Sequence, residues 1–201
     1  MQQRDVRNSK ARHPSGEHSL KNKILSVLAL GAFCALPLAS VHAHIVLTEP
    51  QAVAGSYYKA TLRVGHGCNG SATHGLIVQV PAGFEGAKPQ PKTGWTLATR
   101  RAKLAQPYKS HGKTVTDDVV ELRWTATSKD AALPDDQFDE FAFMGRLPDQ
   151  AGPLWVKVVQ TCETGQTNWS EIPAAGTSTR GMKSPAALLE VQPAHAHDHH
   201  H

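Results

Sequence analysis

The residue with most chemistry to offer is His44, within the run Val41-His42-Ala43-His44-Ile45. A chain cut after Ala43 begins with this histidine. Its free α-amine, with a pKa of about 7.7, and its imidazole Nδ1 then close a six-membered ring on a single metal ion. Both are neutral nitrogen donors. Such a pair suits copper(II), which stands at the top of the divalent affinity order. The metal competes with the proton of the amine, so binding weakens as pH falls. An uncut chain carries an amide nitrogen at this position, so cleavage creates the chelate. The plainer alternative is a histidine that follows a cleavage site by chance.

Further ligands must come from elsewhere in the chain. Glu49 lies five residues on, and its ordinary role would be that of a solvated carboxylate. His66 and His74 sit on either side of Cys68 and can approach the same end of a β-sandwich; otherwise they pack or solvate a loop. His111 lies in a polar stretch without a visible partner. Of the four tryptophans, Trp124 falls with an apolar set and reads as core. Trp95 follows Gly94 at a loop-to-strand junction, and Trp155 shares a face with Lys157. Trp169 stands between Asn168 and Ser170, where an aromatic is either a site residue or a lid on the core.

The cut itself is expected from the leader. Lys21 and Lys23 precede an apolar run over residues 24–38, and Val41 and Ala43 are small at minus three and minus one. That is the pattern of a secretory signal peptide. The run is too short for a comfortable membrane span. The formal net charge of +4 belongs wholly to residues 1–43. They hold six Lys or Arg and two acids, and the other 158 residues carry 15 of each sign. A formally neutral chain gives no case for a nucleic-acid partner. The expected organisation is a signal peptide over 1–43, one domain over 44–192, and a histidine-rich tail over 193–201. Five tail histidines surround Asp198 and would bind Cu, Ni or Zn without geometric selectivity.

Once Cys34 leaves with the leader, Cys68 and Cys162 remain. An even pair in an exported protein reads as one disulfide. The rival, a two-thiolate metal site, lacks close Cys-x-x-Cys spacing. Residues 57–64 alternate, with Tyr58, Ala60, Leu62 and Val64 against Tyr57, Lys59, Thr61 and Arg63, as a half-buried strand does. Residues 119–127 and 154–162 alternate likewise, the second set turning Gln160 and Cys162 inward. Shorter strands are expected at 45–49, 76–80, 95–100, 138–144 and 167–172, with a strand or helical turn at 186–191. Residues 82–94, rich in Gly and Pro, read as an irregular crossing, and residues 103–116 as a long hairpin or loop. Seven to nine short strands without a three-turn helix suggest two packed antiparallel sheets, or else a small barrel.

Several stretches carry a resemblance to a known family. They are Ala43-His44-Ile45-Val46-Leu47 with Pro50, Ala54-Gly55-Ser56-Tyr57, Val80-Pro81, Gly94-Trp95, Asp139-Glu140-Phe141, and Val159-Gln160 through Gly165 to Trp169. Together they resemble the YcnI-like family of exported copper-binding proteins over residues 44–175. The resemblance implies an all-β, immunoglobulin-like antiparallel sandwich. It also implies copper(II) held by an amino-terminal histidine, a mono-histidine brace, beside a Glu and a Trp. Carried over, these are His44, Glu49 and Trp169, with Trp95 as the fallback tryptophan.

The expectation is a non-enzymatic copper-binding protein of the periplasm, or a secreted one, that captures or passes on copper. Its expected partners are the copper ion and a copper-transport membrane protein or periplasmic copper chaperone, with no membrane span once the leader is gone. Two rivals stand beside it. One is a copper-dependent oxidative enzyme, for which His66, His74 or His111 would supply a second imidazole. The other is a structural or adhesion module in which His44 is accidental.

Overall fold

Eleven β-strands form two facing sheets in the computed structural model, which describes residues 44–194. The expected leader and the tail histidines from 195 onward lie outside the described residues. The smaller sheet takes the order β1 (Val46–Leu47), β3 (Tyr57–Val64), β8 (Asp139–Arg146), β5 (Glu85–Pro89). The larger runs β2 (Gln51–Val53), β11 (Ala187–Gln192), β9 (Gly152–Cys162), β4 (Thr73–Gln79), β7 (Lys113–Ala126), β6 (Trp95–Ser110). A short β10 (Gln166–Trp169) pairs with the second half of β9, continuing the lane that β11 occupies beside its first half.

The period-two strands fold as their side chains dictate. In β3, Tyr58, Ala60, Leu62 and Val64 are buried while Tyr57, Lys59 and Arg63 face solvent. In β9, Val156, Val158, Gln160 and Cys162 turn inward. The two inner faces meet over Leu62, Leu76, Leu122, Trp124 and Phe141, all fully buried. Trp95 and Trp124 pack edge-on against Phe141 at 4.9 and 5.8 Å between ring centroids. Burying one such side chain contributes about 1.5–3 kcal/mol, so this cluster anchors the sandwich.

The first strand changes sheets at Pro50. Before it, β1 pairs antiparallel with β3; after it, β2 pairs parallel with β11. Pro50 donates no hydrogen bond, but its carbonyl accepts one from the Glu190 amide at 2.8 Å. This leaves the start of β1, and His44 before it, at one end of the sandwich.

Two segments are more regular than expected. Residues 82–94 hold β5, an edge strand broken by a bulge between Glu85 and Lys88. Residues 103–116 form the outer part of a hairpin of β6 and β7, whose register shifts between Lys103 and Tyr108 and which turns at His111-Gly112 with φ of 48° and 76°. Two successive positive φ angles are what a two-residue hairpin turn needs.

Candidate metal centre

Strand ends gather four segments around His44. Continuing the β1–β3 register past Val46↔Arg63 brings His44 level with the residues just after β3, where His66 follows Val64. On the facing sheet, β10 delivers Trp169 opposite Val158, and β9 delivers Gln160. Thr73, the first residue of β4, is level with Cys162.

Trp169 is the hub of this end. Its ring lies edge-on to His44 at 5.8 Å and edge-on to His66 at 6.2 Å. It is only 3% exposed although Asn168 and Ser170 flank it. Its indole N–H is satisfied by Gln160 Oε1 at 2.9 Å. Gln160 is wholly buried, and its Nε2 donates to the His66 carbonyl and to Thr73 Oγ1, each at 2.7 Å. One amide side chain thus meets an indole, a loop carbonyl and a hydroxyl. A buried polar group is tolerated when its hydrogen bonds are made, and these three make Gln160 a specific positioner of Trp169 and of the His66 loop.

The His66 loop is fixed at several points. The Cys68–Cys162 disulfide ties it to the end of β9, with 5.9 Å between Cα atoms across a sequence separation of 94. The Gly67 amide donates to Asp135 Oδ1 at 2.9 Å. Cys68 and Ser71 exchange two backbone hydrogen bonds of 3.0 Å. Gly67 is required by this closeness, since a Cβ there would lie 1.9 Å from the Ser71 carbonyl oxygen.

Glu49 lies two residues past β1, where the chain bends at Thr48 and Glu49 before Pro50. Its carbonyl accepts the Tyr58 hydroxyl at 2.6 Å, and its side chain is exposed. The Tyr58 phenol is pushed up to about 12 by burial and by the negative charge of Glu49. Trp95, the fallback tryptophan, is 9% exposed and belongs to the Phe141 cluster. His74 lies within β4 and is half-buried, whereas His111 is exposed at the hairpin tip. The grouping of His66 with Trp169 was legible in the sequence only as two histidines near Cys68; nothing local tied either to Trp169.

The donor set at this end is nitrogen-rich, which fits a borderline-soft divalent ion better than a hard, oxygen-seeking one. Among the described residues no three His, Cys, Asp or Glu side chains converge on a shared ion position. A mature His44 terminus would supply two donors from one residue. Beside it opens a groove of about 410 Å³ lined by Val46, Pro50, Thr177, Thr179, Pro185 and Leu188.

A second polar cluster lies away from this end. Asp118 accepts from the Tyr108 hydroxyl at 2.7 Å and from the Gly86 and Val119 amides at 2.8 and 2.7 Å, with Arg101 alongside. Burial raises the Asp118 pKa, but these bonds and the Arg101 charge outweigh it and hold the carboxyl below its ordinary value. Tyr108 is correspondingly pushed up to about 12, first by burial and then by its bond to Asp118. This cluster ties the long hairpin to β5.

Residues 44–191 match the model of a family described as a domain of unknown function, DUF1775. A copper-binding protein of Bacillus subtilis (strain 168), CutI, is 26% identical over 113 residues, 56% of this chain and 48% of that protein. The chain thus spans about half the length of that curated relative. An uncharacterized protein from Nocardia farcinica, whose crystal structure reveals an immunoglobulin-like fold, aligns with a TM-score of 0.57 and 25% identity. The alignment covers 74% of this chain and 97% of that one. The sandwich described above is therefore immunoglobulin-like, with one disulfide.

Proposed function

Because the chain belongs to the YcnI-like family, the domain of unknown function DUF1775, we propose that it is an exported copper(II)-binding protein. His44 is the first residue of the mature form and grips the ion through its α-amine and Nδ1. Trp169 covers one side of the ion and excludes small oxidants from it. The role is capture and transfer of copper in the periplasm or outside the cell, without turnover of a substrate. A copper-transport membrane protein or a periplasmic copper chaperone is the corresponding partner.

The observation that carries this reading is the 5.8 Å edge contact between His44 and Trp169 at the first matched residue of the domain. The copper-binding relative supports the choice of metal. The nitrogen donors of His44 support copper(II) over magnesium or calcium, which take oxygen ligands.

The test is a copper(II) titration of the chain from His44 to Ala194, which contains every described strand and omits the tail histidines. Its partner sample carries one alanine before His44. The native terminus is expected to bind stoichiometrically and to quench part of the tryptophan emission. Replacement Trp169→Phe should remove most of that quench, and the added alanine should remove tight binding. Equal affinity with and without the extra residue would overturn the reading.

A further inference from the structure

We propose that the groove beside His44 is a strand-addition site, which takes an extended segment of a second polypeptide on the open edge of β11. The occupant is a segment of the protein that exchanges copper with this one. It carries a basic residue at one end and a metal-binding side chain at the other. That role rests on the copper reading above, whereas the docking itself does not.

The first support is an interrupted ladder. β2 pairs parallel with β11 from Gln51↔Glu190 onward. The Glu190 amide donates to the Pro50 carbonyl, and the Ala54 amide to the Gln192 carbonyl, each at 2.8 Å. Every second residue of β11 thus turns its backbone groups into the lane of β2. Leu188 continues that series, since Ala187 and Leu189 lie opposite Val156 and Leu154 of β9. In a continued parallel ladder its carbonyl would accept from residue 50, which is a proline and has no N–H. Its amide would donate to Thr48, but Thr48 is level with Thr61 of the facing sheet and donates to its carbonyl at 3.0 Å. Both ladder groups of Leu188 therefore open on the groove that its residue lines. An unpaired edge of this kind is a template for an extended chain, which supplies the missing bonds.

The second support is the rest of the lining. Val46 lies opposite Arg63, and Thr48 bonds to Thr61, so Leu47 between them turns its N–H and C=O away from β3. Leu47 lines the same groove as Leu188. Val46 stands 43% exposed beside it, an apolar contact for a side chain of the incoming segment. The third support is charge. Glu190 is the one acidic group in the lining among the described residues. It accepts from Gln51 Nε2 at 3.2 Å, a neutral donor that leaves its charge uncompensated. Glu190 sits at the Pro50 end, and the chain runs back from there through β1 to His44. The two ends of the groove thus differ in chemistry, and this fixes how a segment lies. Its basic residue meets Glu190, and its donor side chain arrives at the ion on His44. Backbone pairing holds the acceptor group in place while copper changes ligands, so no free ion is released.

The experiment follows amide NMR shifts of the metal-free chain from His44 to Ala194 as the blocked peptide acetyl-His-Val-Thr-Val-Lys-amide is added. Saturable shifts are expected at Ile45, Leu47 and Leu188, and none at the hairpin tip around His111. The same peptide N-methylated at every residue has no N–H to give and should bind at least tenfold more weakly, a comparison that leaves the protein untouched. Leu188→Pro removes the groove-facing N–H without costing a bond to β9 and should weaken binding as much, with a melting curve to confirm the fold. Glu190→Lys should reverse the preference for Lys over Glu at the end of the peptide. No saturable shift at millimolar peptide, or equal binding of the N-methylated form, would overturn the proposal. So would self-association of the free protein that Leu188→Pro abolishes, since the edge would then belong to a second copy. Peptide docking with copper affinity indifferent to the alanine extension would sink the copper reading and the exchange role while the strand-addition site stands. Tight copper binding at the native terminus without docking would sink the strand-addition site alone.

Discussion

Replacing Gln160 with methionine should damage both the fold and the metal centre, and the structure sets the size of the first effect. Methionine nearly preserves the volume, so cavity cost is small. What is lost is three hydrogen bonds, to the Trp169 indole, the His66 carbonyl and Thr73 Oγ1. The Thr73 hydroxyl can rotate toward Cys162 Sγ, 3.8 Å away, so its loss is partial. The indole N–H and the carbonyl keep no alternative that the buried site offers, and each orphaned group costs about 1–3 kcal/mol. The total is about 3–5 kcal/mol, within the usual stability of a domain of this size. For such a domain 1 kcal/mol corresponds to roughly 2–4 °C in Tm, so a fall of about 10 °C is expected by calorimetry. Copper affinity should fall as well, because Trp169 and the His66 loop lose the side chain that joins them. Leu122→Ala supplies the comparison. Leu122 is fully buried in the core on β7, and its truncation costs about 2–5 kcal/mol. Similar destabilisation there should leave copper affinity unchanged. A Gln160→Met protein within 1 kcal/mol of the parent would refute the assignment of Gln160 as a polar keystone. Equal losses of affinity in both variants would refute its specific link to the site.

Other consequences can be checked in the same preparations. Removing the disulfide by Cys68→Ala with Cys162→Ala frees a loop of more than ninety residues. It should lower stability by about 2–5 kcal/mol, read as a shift in the urea midpoint that reductant reproduces in the parent protein. Tyr58 and Tyr108, both raised to about 12, favour the protonated phenol in the fold. Their contribution is whole below pH 10 and is lost as pH climbs from 10 to 12, so two phenols should ionise late by absorbance and unfolding should follow them. Asp118 behaves oppositely. Its lowered value stabilises the fold above pH 4 and is forfeited as pH falls through the folded value. Asp118→Asn should flatten the acid limb of the stability profile, and an unchanged limb would count against the cluster.

How much of this could be read in the chain depended on whether local pattern or distant pairing decided it. Residues 57–64 and 154–162 announced themselves because one face of each strand is buried and the other wet, which writes a period of two into the sequence. The same alternation turned Cys162 inward and made its bond to Cys68 legible. β2 and β5 left no such trace. Each has three to five residues, and each exists through a neighbour far along the chain, β11 or β8. The outer half of the β6–β7 hairpin is mostly exposed, so it reads as polar loop although its ladder continues to Ser110↔Lys113.

The candidate site divides along the same line. His44 could be nominated from the sequence because the chemistry proposed for it is contained in one residue and one expected cleavage. Glu49 was nominated by nearness in sequence, and its side chain stands exposed just past β1. Trp169 lay among polar neighbours, and the partner of its buried indole N–H is Gln160, nine positions back and across a strand pair. His66 shows the limit most sharply. Its ring nitrogen lies against the carbonyl of the next residue, a contact that no pattern of residue types records. Its place beside Trp169 follows from where β3 ends, where β10 ends and where a disulfide closes. A grouping assembled from strand ends is visible only once both sheets are built, and it is the sandwich that sets Trp169 beside both His44 and His66.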